Sequence, residues 1–370
     1  MTKRGEVRGL SSLIFTLAQA DAGDAMGSEK EFVSNVTRLD LPSFDLATGL
    51  RAGAFVVMPF LLAPVIGYVG AAFAALNGMW LTNTEGPDSG APLKVLLVAC
   101  LAESAATGLG TMAGSAGALT PLLVGLGVFF PMLLHGASRW DRVGTYTAIT
   151  FAVGVGIPGD LHAAAVRAGF SLLGTLWVLF GIAAQRRLGG KTARGSGPPG
   201  QEPGSQLHPD APKNALSVGA ASAIGIAVGL ALNLPRDFWV VVTIILSVQP
   251  SFNSTFIYTS GMVLGTIVGA VIGATAVAYA PGLYPQLLFL VAFAVFMFAT
   301  RGVNTALMQV FLAPFVIVLL ALIYGHQVNF AEARVLDVAI GGVISVATVY
   351  ILGLDVVRSH WKRPAGVARD

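Results

Sequence analysis

Charge is what this chain has least of. Asp, Glu, Lys and Arg make up 11% of its 370 residues, where soluble domains carry about 25%, so there are too few charges to cover a water-facing surface. Cysteine is almost absent: the single Cys100 can form no intrachain disulfide and reads as a small packing residue. Five scattered histidines with one cysteine offer no zinc spacing. The sequence has no GxxxxGK[ST] phosphate loop, no GxSxG elbow and no HExxH pair. Strict alternation of polar and apolar residues, the mark of an outer-membrane barrel, is missing too. These absences argue against an enzyme, a metal or organic cofactor, an ATP-driven pump and a secreted disulfide scaffold. The net charge of +3 does not indicate nucleic acid as a partner, because Lys and Arg in such a chain serve as topology markers.

What the chain does have is long apolar runs. Hydrophobic residues reach 55%, and uncharged stretches cover 52–84, 104–138, 143–159, 168–185, 214–235, 238–300, 302–331 and 338–354. A helix needs about 20 apolar residues to cross a bilayer, so the fold class expected is an all-α polytopic membrane protein with the lipid bilayer as its first partner. Residues 186–213 are rich in Gly, Pro and charge and read as a flexible linker. The chain then divides into an N-terminal segment 1–45, a first block 46–185, the linker 186–213, a second block 214–357 and a basic tail 358–370. Breaks at Pro, Gly and Asn clusters place helices near 47–66, 69–83, 92–114, 118–135, 143–158 and 162–185. In the second block they fall near 214–233, 237–250, 255–280, 284–300, 303–325 and 332–354. The second helix of each block is expected to be short.

The blocks look like copies, twelve helices in two parallel repeats. Gly261, Gly265, Gly269 and Gly273 recur every fourth residue, as do Ala106, Gly110, Gly114 and Ala118, and the strings GTIVG and GTMAG coincide under a shift of 155 residues. Trp80 and Trp239 each sit in the second helix of a block, and DLHAAAVR and FAEARVLD each open a last helix. With six helices per block and the N-terminus inside, 19 of the 22 basic residues face the cytoplasm, and only Arg167, Arg236 and Arg334 face outward. Both termini and the linker are therefore expected in the cytoplasm. Residues 1–20 have the outline of a secretory signal, ending at Ala18-Gln19-Ala20. Ser11, Ser12, Thr16 and Gln19 dilute its apolar core, and cleavage would leave Lys30 and Arg38 outside, so a cytoplasmic segment or an early start codon fits better.

Glycine at every fourth position makes a flat helix face on which backbones approach closely, so Gly110, Gly114, Gly261, Gly265, Gly269 and Gly273 are packing candidates. Ionisable residues inside a bilayer are expensive and are functional candidates by default. Glu103 lies mid-helix, and a desolvated carboxyl favours its neutral form, which suits a proton carrier. Arg334 and Asp337 are three residues apart on one face, close enough for a structural ion pair. Arg142 and Arg301 sit at expected cytoplasmic helix ends, where they either draw an anion toward a path or only mark the inside. Asn304 lies in the same turn as Arg301, and Gln249, Asn253 and Ser254 occupy the break after the short helix, where they can line a polar path.

Three segments of the second block carry a family likeness: FWVVVTIILSVQPSFNSTF at 238–256, LGTIVGAVIG at 264–273 and RVLDVAIGG at 334–342. In order and composition they resemble the fusaric acid resistance and aromatic acid exporter-like superfamily, to which the plant aluminium-activated malate transporters are distantly similar. The first block resembles it only through Trp80, GTMAG and Tyr146. The Arg that such proteins usually carry three residues before the GT is Met262 here and Thr107 in the first block, and a large cytoplasmic domain is reduced to the linker. The resemblance implies a multi-pass inner-membrane transporter of small organic or aromatic acids as anions, most often an exporter, driven by a gradient. An anion channel on the same scaffold and a non-transporting membrane assembly protein are the alternatives. Partners in that reading are the organic anion and either further copies of the chain or a periplasmic adaptor.

Overall fold

The computed structural model describes residue 36 and residues 38–85, 91–134, 140–188, 211–249, 252–280, 282–325 and 329–361. The signal-like start, the linker beyond residue 188, His135 and His326 lie outside the described residues. Among those described the chain is helical and has no strand. The first block holds α1 (Leu46–Val57), α2 (Ala63–Glu85), α3 (Leu93–Gly114), α4 (Thr120–Met132), α5 (Asp141–Val155) and α6 (Leu161–Leu188). The second holds α7 (Ala211–Ala231), α8 (Phe238–Ser247), α9 (Phe252–Tyr279), α10 (Leu283–Thr300), α11 (Thr305–Tyr324) and α12 (Asn329–Trp361). Among the described residues, eight helical stretches are long and apolar enough to cross a membrane: Leu46–Glu85, Leu93–Gly114, Leu161–Arg187, Ala211–Ala231, Phe252–Tyr279, Leu283–Thr300, Thr305–Tyr324 and Asn329–Leu352. Large apolar side chains such as Leu61, Val65, Phe180, Leu216, Leu288 and Ile351 point outward on these helices. Water would penalise that exposure and lipid does not. This is a multi-pass membrane protein.

The stretch Leu46–Glu85 does not cross in one piece. A 3-10 turn at Met58–Leu62, opened by Pro59, joins α1 to α2, and Gly67 then leaves the helical region with φ 78° and ψ 154°. Arg51 and Glu85 nonetheless lie 3.8 Å apart, whereas an unbroken helix would separate them by about 50 Å at 1.5 Å per residue. The chain therefore reverses at Gly67, and α1 and the rest of α2 run as antiparallel legs. Beyond Gly67, α2 continues to Glu85, a rise of about 27 Å. The expected shortness of the second helix thus fails in the first block. It holds in the second, where α8 has ten residues and ends as Val248 turns extended. Trp80 lies near the end of α2 while Trp239 is the second residue of α8, so the two tryptophans are not positional counterparts.

The glycine rows are contact surfaces. A Cβ added to Gly110 would run into the carbonyl oxygen of Phe151, and one on Gly114 into that of Val155, both on α5. A Cβ on Gly265 would meet the carbonyl oxygen of Ala306 on α11, one on Gly269 would come within 2.9 Å of Val310 O, and one on Gly273 within 2.9 Å of the Pro314 Cα. The pairs Gly110–Phe151 and Gly265–Ala306 are displaced by the same 155 residues, as are Gly114–Val155 and Gly269–Val310. Gly261 is looser, since its nearest neighbour would stand at 3.7 Å.

The blocks also interlock. Gly49 and Gly53 of α1 seat against Val295 and Ala299 of α10, Gly125 of α4 against Gly219 and Ala223 of α7, and Gly156 at the end of α5 against the Phe238 ring. One apolar core accordingly runs through both blocks, from Val56, Phe73 and Ile149 to Ile244, Phe315 and Leu319. Where α2, α5, α8 and α11 face one another, a gap of about 30 Å³ is lined by Phe73, Leu76, Val153, Phe238, Trp239 and Leu320, among others.

Candidate functional site

The helix ends assemble a basic cluster at one face of the molecule. Glu85, at the end of α2, receives Arg186 of α6 at 3.2 Å and Arg51 of α1 at 3.8 Å. Arg186 also donates to Ala91 O at 2.8 Å. With that carboxylate engaged by two guanidiniums, Arg301 at the C-terminal cap of α10 is held by a neutral group: its Nη1 donates to Asn83 Oδ1 of α2 at 3.0 Å, across the two blocks. Burial, and then the repulsion of Arg142 and Arg51, lowers the Arg301 pKa from its ordinary value, while Tyr146 and Glu85 offset part of this. Tyr146, one turn after Arg142 on α5, stacks on Trp80 with ring centroids 5.5 Å apart. This mouth brings together Arg301, Arg142, Tyr146, Asn83 and Trp80. A guanidinium whose hydrogen-bond partner is a neutral amide keeps donors and net charge for an anion.

Glu103 is fully buried on α3. Its Oε1 accepts from Thr84 Oγ1 at 3.3 Å, and its Oε2 has no partner. A turn further along, Thr107 Oγ1 donates to Asn77 Oδ1 at 3.2 Å, and Asn77 Nδ2 donates to Ser171 Oγ at 2.9 Å. These bonds tie α2, α3 and α6 together around the buried acid. The sequence reading missed Asn77 and Asn83. The available signal was a strongly polar amide inside or at the end of an apolar run, the same signal that marks Gln249 and Asn304.

Beside the end of α8 lies a cavity lined in part by polar side chains. Gln249, Ser254, Tyr258, Asn304 and Thr305 line a space of about 320 Å³, together with Val36, Ile257, Gly261 and Ala306. Gln249 is fixed there: its N–H donates to Thr255 Oγ1 at 2.9 Å and its Nε2 to Leu246 O at 3.2 Å. Asn304 caps α11, its Oδ1 accepting from Ala306 N at 2.7 Å and Leu307 N at 3.2 Å. Its Nδ2 donates to Val36 O at 3.0 Å and Arg38 O at 2.9 Å, so it also ties down the segment before α1. Asn253 is exposed and is not among the lining residues.

Arg334 and Asp337 share a face of α12, yet they form no ion pair within 4 Å. Both are buried, at 3% and 0% exposure, and Arg334 Nε and Nη1 and both Asp337 oxygens have no hydrogen-bond partner. The guanidinium instead lies over the Trp239 ring of α8, 4.1 Å from its centroid. The expected pair fails because the three-residue spacing fixes proximity of the Cβ atoms only, and stacking on Trp239 draws the long arginine side chain toward α8.

Residues 222–348 match the family model described as fusaric acid resistance protein-like, a segment that contains the polar cavity's lining on α9 and α11 as well as Arg334 and Asp337. No curated protein and no solved structure matches the chain.

Proposed function

With a fusaric acid resistance-like domain at residues 222–348 as the premise, we propose that the chain is a secondary transporter of the inner membrane that exports small organic acids as anions. The observation that carries this reading is the Arg301–Asn83 contact: a cationic side chain is held at the junction of the two blocks by a neutral amide, beside Arg142 and the Trp80–Tyr146 stack. Such a mouth attracts an anion from the cytoplasm and offers flat rings to an apolar body. The path continues between α2, α5, α8 and α11, where the gap is narrow and apolar. That is the form expected of a closed carrier rather than an open pore. The arrangement behind the path is two parallel six-helix repeats with both termini in the cytoplasm. The 155-residue displacement shared by Gly110–Phe151 and Gly265–Ala306 supports the repeat, and the 19-to-3 division of basic residues supports the orientation. Export takes its energy from the proton gradient, and Glu103, fully buried with one unpartnered oxygen, carries the proton.

The test is flux in proteoliposomes loaded with a panel of weak aromatic and aliphatic acids. A pH gradient across a sealed vesicle should drive accumulation above the equilibrium distribution. Conduction that follows voltage alone would establish the channel instead. Flux equal to that of empty liposomes across the panel would leave only the assembly role.

A further inference from the structure

Two arginines on the face opposite Arg301 occupy matching places, and they are treated differently by their surroundings. Arg167 on α6 lies over the Phe73 ring of α2 at 5.8 Å, and Arg334 on α12 lies over the Trp239 ring of α8 at 4.1 Å. The displacements, 167 and 166 residues, agree with a separate contact of the same helices: Gly174 of α6 seats on Ala74 of α2, and Gly341 of α12 on Val240 of α8. In the first block the arrangement is closed. Arg167 Nη1 donates to Ile157 O and, at 3.5 Å, to Thr111 Oγ1. In the second block the matching groups are left open. Arg334 Nε and Nη1, Trp239 Nε1 and Thr266 Oγ1, which stands 155 residues after Thr111, are all buried without a partner. The second block adds Asp337, whose two oxygens are also unpartnered, where the first has Phe170.

Burying an unpartnered charge or polar group costs free energy unless something completes it. A site that leaves three kinds of donor and one carboxylate unsatisfied, on α8, α9 and the helix α12 against which both pack, is suited to an occupant that accepts at one end and donates at the other. We propose that Arg334, Trp239, Thr266 and Asp337 form a binding site for a carboxylate solute that also bears a hydrogen-bond donor, an amino or hydroxyl group beside the carboxylate. The carboxylate takes the Arg334 and Trp239 N–H groups, and the donor takes Asp337. The charges of Arg334 and Asp337 cancel, so a zwitterion brings no net charge into the membrane, whereas a simple carboxylate leaves one uncompensated. Arg167 is the structural copy of the same device, already satisfied by Ile157 O and Thr111. Two other charged groups act on Asp337, Arg236 and Asp237, adjacent in sequence just before α8; their charges are opposite and cancel, and Arg236 also stacks on Tyr324 at 4.1 Å and Phe330 at 5.6 Å. The gap beside Trp239, about 30 Å³, is smaller than such a solute and is lined by neither Arg334, Asp337 nor Thr266, so filling the site requires the helices that carry it, α8, α9 and α12, to part.

This inference rests on the transport reading and changes its substrate from a simple organic anion to a carboxylate that also bears a donor, and the experiment separates the two. The full-length protein in nanodiscs is titrated by calorimetry with 3-phenylpropionate, 3-phenyllactate and phenylalanine, one skeleton bearing hydrogen, hydroxyl or ammonium at the same carbon. Phenylalanine should bind at least tenfold more tightly than phenylpropionate, with phenyllactate between them. Phenyllactate equal to phenylalanine would assign a neutral donor as sufficient. Asp337→Asn should erase the graded order, Arg334→Gln should abolish binding of all three, and Arg167→Gln should leave the order intact. If the variants fail to fold, the wild-type series decides alone. Equal affinities, tightest binding of phenylpropionate or no binding of any of the three would overturn the site. Counterflow of phenylpropionate without any preference would sink the site and leave export standing, while absent flux of every acid would sink export itself.

Discussion

Arg51 and Glu85 are ion-paired at 3.8 Å although one lies near the start and the other at the end of a 40-residue apolar helical stretch. Arg186 joins them at 3.2 Å from Glu85, so three helix ends of the first block meet at one carboxylate. All of this depends on the reversal at Gly67, whose φ of 78° and ψ of 154° fall in a region that side chains other than glycine rarely enter.

That conformation makes the first prediction. Nothing lies within 4 Å of a Cβ placed on Gly67, so Gly67→Ala suffers from backbone strain alone. The expected cost is about 1–3 kcal/mol, read as a lower unfolding temperature in detergent. Gly169→Ala is the control. It too has open space around it, but its backbone is helical, so it should be neutral or gain about 0.5–1 kcal/mol. Equal behaviour of the two variants would mean that the chain does not turn sharply at Gly67.

The second prediction concerns the contact of α9 with α11. Gly265→Leu and Gly269→Leu must push α11 away, because backbone atoms of Ala306, Gln309 and Val310 already sit where a side chain would start. Both should sharply reduce the yield of monodisperse protein in size-exclusion chromatography. Val268→Leu points outward from a residue that is 51% exposed and should be tolerated, as should Gly261→Ala, whose new methyl group would find its nearest neighbour at 3.7 Å. Loss of yield at Val268 equal to that at Gly265 would remove the distinction between the two faces of the helix.

Much of this fold is legible in the sequence because the bilayer imposes a simple rule: apolar runs become helices, and Pro, Gly and Asn clusters end them. The glycine periodicity carried further, into tertiary structure, since Gly110 and Gly265 could be named as contact residues before their partners on α5 and α11 were known. Long-range pairing is where legibility stops. Nothing local to Asn83 marks it as the partner of Arg301, which lies 218 residues away. Nothing local to Arg334 says that Trp239 holds it at the expense of Asp337. The sequence pattern also paired Trp80 with Trp239 by residue type, whereas the arginine stacks match Phe73 to Trp239. Side-chain identity differs between the two blocks while backbone contacts such as Gly174–Ala74 and Gly341–Val240 keep matching displacements.

Orientation in the membrane gives the third prediction. Glu85, Arg186 and Arg301 gather at one face, and the positive-inside rule makes that face the expected cytoplasmic one. Reporter fusions at the N-terminus, within 195–205 and after Arg363 should all report the cytoplasm. A periplasmic signal from the 195–205 fusion would overturn the parallel arrangement of the blocks, because it requires an odd number of crossings in the first.

The last prediction separates coupling from transport. Glu103 Oε1 accepts from Thr84 at 3.3 Å and its Oε2 is unpartnered in a fully buried position. An ionised carboxylate there would lack both solvent and a counter-charge, so gaining and losing a proton must accompany a change in its surroundings. Glu103→Gln preserves size and the acceptor for Thr84, and it fixes the neutral state. The variant should therefore insert and fold as the parent does. It should still exchange a weak acid between preloaded vesicle and bath, since exchange needs no net proton movement. Accumulation driven by a pH gradient should fall to the level of empty vesicles. Asn77→Leu provides the contrast: it removes the bonds to Thr107 and Ser171, leaves the carboxyl in place and should lower thermal stability and exchange together. Gradient-driven accumulation that persists in Glu103→Gln would strip the residue of its proton-carrying role and favour a channel, whereas loss of exchange along with accumulation would make it a structural residue of α3.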